Sequence, residues 1–300
     1  MRLLLVAIAL CRCAWAQDLD VVHVQGSVYM IAGAGGNVAV QIGPSGVLMV
    51  DSGSAASTAK LLDAVRKLSG GKPLRYLINT HVHVDQTGGN EAVAKAGGST
   101  GVRGIRGTPG ESLTNMVQIL AHDNVMQRMV TEATLPDLAQ PTDTWIGPQK
   151  DLFFNGETIA ILHQPAAHTD GDSMVHFRRS DVIVAGDIID MNRYPVIDLA
   201  RGGNVQGVIE GLNRLLKLAI PEHHEEGGTY IIPGRGRVVD EFDVVEYRDM
   251  VTIIRDRIRA MAKKNMTLGQ IKEARPTRDY DGRFGSPDAF VEAVYKSLAK

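Results

Sequence analysis

Short apolar runs rich in β-branched residues, each bounded by glycine, serine or asparagine, recur in both halves of the sequence. The early ones read VVHVQ, SVYMIAG, NVAVQIG and GVLMVDSG, and LRYLINT follows shortly before residue 80. Such runs are strands, because a branched side chain suits a pleated surface and the flanking residues turn the chain. Helical periods lie between them. Leu61, Leu62, Val65 and Leu68 repeat at helical spacing within residues 55–68, and Glu111 to Val130 is expected to be helical. In the second half DLFFNGETIAILHQ is a hairpin with Asn155-Gly156 at its turn, while SMVHF, DVIVAGD and TYIIPG are strands. VQGVIEGLNRLLKLA and DVVEYRDMVTIIRDRIRAMAKK are helices, and helical stretches at Leu268 to Glu273 and Pro287 to Ala299 close the chain. Strands and helices mixed in each half predict an α/β fold with two sheets packed together and helices outside them. No linker or repeat divides the sequence. A single domain over residues 17–300, with a helical C-terminal extension from about residue 240, is the simplest organisation.

Composition narrows the class. The chain has 300 residues, 44% of them apolar and 22% charged, with a formal net charge of -2. That is an ordinary globular balance, and it argues against a nucleic-acid partner, which would favour a basic surface. Arg255, Arg257, Arg259, Lys263 and Lys264 interleave with apolar residues at helical spacing, so they form the solvated face of a helix. At the N-terminus Arg2 precedes an apolar run from Leu3 to Leu10, and Ala14-Trp15-Ala16 fits a small-residue cleavage site. Residues 1–16 therefore read as a secretory signal peptide, too short to span a bilayer. The mature protein is expected to be exported, periplasmic or extracellular, with no membrane association once the signal is removed. Both cysteines, Cys11 and Cys13, fall in this segment, so a chain starting at Gln17 has no thiolate ligand and no disulfide.

Chemistry concentrates in THVHVDQTGGN, Thr80 to Asn90. In a loop leaving a strand end, His81 and His83 can converge on one ion while Asp85 points to a neighbouring position. Neutral imidazole and carboxylate suit zinc, and also iron or manganese. Gln86 is the odd member, since a neutral amide is a poor ligand for a divalent cation. PAAHTDGDSMVHF places His168 in a loop just before a strand, VIVAGDIID presents Asp187 at a strand end, and IIPGRG brings Arg235 to the same rim. Of the other histidines, His23, His163 and His176 lie in or beside strands and read as packed or surface residues. His122 reads as a structural residue in mid-helix. His223 and His224 sit in a polar loop and are the reserve for an unexpected ligand. Arg193 and Tyr194, in DMNRYPVID, are candidates to line a pocket for a small-molecule substrate, although a tyrosine before proline is as often a loop anchor. Specificity would lie in loops such as Gly97 to Gly110 and Met191 to Gly203. The oligomeric state is left open.

In their order along the chain, THVHVDQTGGN, HTDGD, AGD and IPGRG resemble the motifs of the metallo-β-lactamase-fold hydrolase superfamily, and LMVDSG with the strands before it resembles that fold's opening. The resemblance covers nearly all of the mature chain up to the long C-terminal helix. It implies a four-layer αββα sandwich with the active site along one sheet edge. It also implies that His81, His83 and His168 bind a first metal, that Asp85 binds a second, and that Asp187 bridges the two. The sequence departs from the family at Gln86 and Arg235, where histidines usually bind that second metal. Without a second cation Asp85 and Asp187 are poorly compensated, and Arg235 can supply the missing positive charge.

One zinc per chain is therefore expected rather than two, with iron or manganese as other choices of metal. The function these features imply is an exported zinc-dependent hydrolase. Metal-bound hydroxide would attack an ester, lactone, thioester or amide carbonyl, with Asp85 orienting the water or accepting its proton. Two rivals stand beside it. One is β-lactam hydrolysis, against which Asp187 counts, since β-lactamases of this fold usually carry cysteine or serine there. The other is an exported metal-binding or ligand-binding protein that has lost catalysis, which the paired departures motivate.

Overall fold

A computed structural model describes residues 19–97, 116–132, 135–221 and 227–298. The expected signal segment, nearly all of Gly97 to Gly110, and both His223 and His224 lie outside the described residues. The first sheet runs in chain order: β1 (Asp20–Gln25), β2 (Val28–Ala32), β3 (Val38–Gly43), β4 (Gly46–Val50), β5 (Leu74–Ile78), β6 (Gln118–His122) and β7 (Asp143–Trp145). Its first four strands form an antiparallel meander, and from β4 onward the pairing is parallel. The second sheet comprises β8 (Gln149–Phe154), β9 (Glu157–His163), β10 (Ser173–Phe177), β11 (Val182–Asp190) and β12 (Tyr230–Arg235), in spatial order β12-β11-β10-β9-β8.

The two-residue period of each strand sorts its side chains into layers. In β4, Leu48 and Val50 enter the core between the sheets, with Ile159, Phe177, Val184 and Ile232. Val47 and Met49 turn the other way, onto Leu61 and Val65 of α1 (Thr58–Ser69) and Val93 of α3 (Asn90–Ala96). On β11, Val182 and Val184 join the inter-sheet core, while Ile183 and Ala185 pack outward. That outer layer holds Leu212 of α5 (Val205–Leu218), Ile254 of α6 (Glu241–Ala262) and Val294 of α9 (Asp288–Leu298). Burial on both faces explains why Val182 to Ala185 of β11 are continuously apolar rather than alternating. The result is the four-layer αββα sandwich, with the C-terminal helices forming part of one outer layer.

Local signals account for the connections. Asn155 and Gly156 both take positive φ, 51° and 81°, so β8 and β9 close in the primed hairpin turn that this dipeptide favours. Helix α6 begins with a reciprocal capping box between Asp240 and Asp243. One expected element is corrected. The stretch read as a helix from Glu111 to Val130 contains β6, and the helix α4 spans only Asp123–Glu132. Ile119 faces the outer core and Leu120 the inter-sheet core, so the run is buried on both sides and adopts the strand alternation. His122 accordingly ends a strand rather than sitting in mid-helix, and its ring stacks on His163 with centroids 3.6 Å apart. Strand β7 and the short helices α2 (Val84–Thr87) and α8 (Asp281–Phe284) carry no sequence pattern long enough to announce them; α7 spans Leu268–Glu273. Among the described residues no helix is long and apolar enough to cross a membrane.

Candidate metal centre

Two loops deliver the histidines, one leaving β5 and one joining β9 to β10. Beyond β5, Thr80 is fixed by Asp51, which follows β4: the Asp51 carboxyl accepts from Thr80 N at 2.8 Å and from Thr80 Oγ1 at 2.7 Å. The same hydroxyl lies 3.0 Å from His81 Nδ1. Burial pushes Asp51 up to about 8, against those two hydrogen bonds. In the loop between β9 and β10, Asp172 accepts from the backbone N–H groups of His168 and Thr169 and from the Thr169 hydroxyl. Burial raises Asp172 to about 6, and these bonds with nearby His168 oppose the rise.

Each imidazole has its outward nitrogen occupied. His81 Nδ1 meets Thr80, and His168 Nδ1 donates to the carbonyl of Val196 at 2.7 Å. His83 Nε2 donates to Asp198 Oδ2 at 2.9 Å. A carbonyl or carboxylate can only accept, so in a neutral ring the opposite nitrogen of His83 and of His168 carries a lone pair. These inward nitrogens, His83 Nδ1 and His168 Nε2, face each other at 2.8 Å. Two lone pairs at that distance repel unless a cation lies between or beside them. His81 Nε2 is buried without a hydrogen-bond partner. One nitrogen from each ring falls within 4.8 Å of the others, the one such group of metal-binding side chains among the described residues. Burial, then neighbouring His168, holds His81 well below the usual imidazole range, which keeps it in the neutral form that binds metals. Outward nitrogens fixed by oxygen acceptors are the normal support for metal-binding histidines. The donor set fits one divalent cation.

The neighbouring position is built differently. Arg235, at the end of β12, pairs with Asp85 Oδ2, donates to the carbonyl of Gly35, and places Nε 3.6 Å from Asp190 Oδ2. Gln86 is fully buried, and its Nε2 donates to Asp187 Oδ1 at 3.0 Å. The two departures from the family pattern thus act separately: the guanidinium holds Asp85 and the amide holds Asp187. Space is tight around both. A Cβ on Gly36 would fall 2.2 Å from Gln86 Nε2, and one on Gly234 would fall 2.1 Å from Asp187 Oδ1. Burial alone would raise Asp187, and Arg235 nearby with the Gln86 hydrogen bond opposes that rise. Its Oδ2 lies 4.0 Å from His168 Nε2.

A cleft of about 470 Å³ opens over His83, His168, Asp85 and Asp187. A larger hollow of about 680 Å³ touches Arg235 and is lined by Asn37, Asn192 and Arg237, with no histidine; His83 and His168 border the smaller one. Arg193 lies in the wall of the cleft. Tyr194 does not. It is buried against Phe284 and Phe290 and donates to Asp281 Oδ1 at 2.9 Å, so it anchors the loop to the C-terminal helices. Asp198 was not legible as a site residue. Besides His83 it accepts from Arg201 at 2.6 Å, and those bonds bring it down to about 2 despite partial burial. VIDLARGG carries no motif that marks it; only the loop's return to His83 reveals its place.

No curated protein matches the chain. Among solved structures it is similar to the stereoselective inverting sec-alkylsulfatase Pisa1 from a Pseudomonas species, with a TM-score of 0.70 and 16% identity. That alignment covers 93% of this chain and 50% of the sulfatase, so the chain spans half that protein's length. It is also similar to a metallo-beta-lactamase from Pontibacter korlensis, with a TM-score of 0.58, 14% identity and coverage of 78% and 99%. The DIM-1 metallo-beta-lactamase gives a TM-score of 0.58 at 16% identity, with coverage of 79% and 98%. At these identities the likeness is one of fold. The Metallo-beta-lactamase superfamily itself matches residues 25–249. That match takes in His81, His83, His168 and both sheets from β2 onward, and the chain belongs to the metallo-beta-lactamase superfamily.

Proposed function

We propose that the protein is an exported zinc-dependent hydrolase holding one cation per chain and cleaving an ester, lactone, thioester or amide carbonyl of a small molecule. The observation that carries this reading is the set of inward nitrogens, His81 Nε2, His83 Nδ1 and His168 Nε2, whose outward partners are all protein oxygens. Zinc held there supplies Lewis acidity and lowers the pKa of water to about 7. The protein's own part is positioning. Asp198 and Val196 fix the rings of His83 and His168, and Gln86 orients Asp187 toward the cation side. Arg235 holds Asp85 by Oδ2, which leaves Oδ1 to orient an attacking water and accept its proton. Export rests on the composition of residues 1–16 alone.

A panel of ester, lactone, thioester and amide substrates, offered to zinc-loaded protein, tests the reading; a sulfate ester, which the fold shared with an alkylsulfatase motivates, probes a different bond. Turnover that falls to background in the His81→Ala/His83→Ala variant supports it, and retained turnover there sinks it. Nitrocefin hydrolysis no faster than in His168→Ala would remove β-lactams from the list. The filled second position favours one rival, a metal-binding protein without catalysis, and metal loading with no turnover across the whole panel would establish that instead. Elemental analysis separates zinc from iron or manganese.

A further inference from the structure

We infer that the cleft takes an anionic amphiphile, a small molecule whose carboxylate or sulfate group is seated by Arg193 while its alkyl portion lies along Val84, Val196 and Leu135. The inference deepens the hydrolase reading and rests on it only for calling this ligand the substrate; the binding itself needs the cleft alone.

Arginines form much of the cleft wall, and they are not equally committed. Arg128 is paired with Glu132 at 2.9 Å and with Asp170 at 2.7 Å. Arg201 is paired with Glu132 and Asp198, both at 2.6 Å. Arg193 is held through Nε alone, by Asp190 at 2.6 Å. Its NH2 stands 3.9 Å from Asp187 Oδ2, beyond hydrogen-bond reach, and the side chain is 46% exposed. Asp190 therefore aims the guanidinium while its terminal nitrogens remain open to the cleft. A guanidinium fork matches a carboxylate or sulfate in both geometry and charge.

The net charge of the cleft does not decide the matter: Arg128, Arg193 and Arg201 are matched by Asp85, Glu132 and Asp187 in the lining and by Asp170, Asp190 and Asp198 beside it. What favours an anion is local, the unfilled fork of Arg193 and a divalent cation on three neutral imidazoles, whose positive charge those ligands do not neutralise.

The rim supplies the apolar half. Val84, at the start of α2 between His83 and Asp85, is 66% exposed, and Val196 is 39% exposed. Both line this cleft together with Leu135 and Val82. Single exposed valines are ordinary, but these gather around one cleft beside an open guanidinium. An alkyl chain reaching out from an anion at Arg193 would cover them.

The test is calorimetric titration of the zinc-loaded full chain with octanoate, octyl sulfate, 1-octanol and acetate. One octanoate or octyl sulfate is expected to bind per chain, with octanol and acetate each weaker by about tenfold or more. The stronger of the two anions identifies the head group. Arg193→Gln should weaken that anion by about tenfold at unchanged zinc content and melting temperature, with Arg193→Lys partly restoring it. Val84→Ser should move its affinity toward that of acetate. Octanol binding as well as the anions, or an Arg193→Gln variant that binds them unchanged, would overturn the inference. Anion binding without turnover on any ester would leave it standing and count against the hydrolase reading. Turnover with no discrimination by charge would do the reverse.

Discussion

At the three-histidine end of the site every outward ring nitrogen is held by a protein oxygen, while the inward ones face each other or nothing. At the Arg235 end the protein supplies its own counter-charge: Arg235 pairs with Asp85, and Gln86 donates to Asp187. The two ends differ in their charges: the carboxylates of the second have partners in Arg235 and Gln86, although Gln86 Oε1 and Arg235 Nε are themselves buried there without a hydrogen bond. A buried cluster of lone pairs is costly until something positive enters it, whereas a carboxylate beside a guanidinium is already compensated.

The largest expected effect breaks the first end. His81→Ala/His83→Ala removes two of three ligands, and should abolish zinc binding and bring turnover to background, read by elemental analysis and by the substrate panel. The next rebuilds the second end. Gln86→His/Arg235→His should raise zinc from about one to about two per chain, because two imidazoles then join Asp85 and Asp187. Gln86→His alone should stay at about one, since Arg235 still occupies Asp85. A double variant that binds only one would leave Arg235 without its compensating role. A smaller change probes the support of the first end: Asp198→Asn should weaken zinc about 10- to 100-fold by loosening His83, measured by chelator competition. The smallest concerns stability. Arg235→Gln in metal-free protein leaves Asp85 unpaired; with Asp85 35% exposed, the loss should be about 1–2 kcal/mol in urea unfolding. Unchanged stability would show that the second end does not depend on the guanidinium.

Much of this was legible in the sequence because it rests on local signals. Glycine-bounded β-branched runs located nearly every long strand, Asn155-Gly156 fixed a hairpin, and the motif order identified the layering. The unusual pair Gln86 and Arg235 was visible for the same reason, as two departures within short motifs. What escaped depends on distant chain segments. The β6 run resembles a buried helix until its neighbours β5 and β7 are known, since Ile119 and Leu120 face opposite cores. Asp198 holds His83 from 115 positions further along the chain, and no local pattern foretells that. Tyr194 was open between a pocket residue and a loop anchor, and only the C-terminal helices, which cover it with Phe284 and Phe290, decide for the anchor.

The most direct test is the zinc content of the purified native chain after loading and removal of loosely held metal. The contrast between the two ends predicts about one zinc per chain, bound through His81, His83 and His168. Two tightly held zincs, or one that survives the loss of His81 and His83, would contradict it.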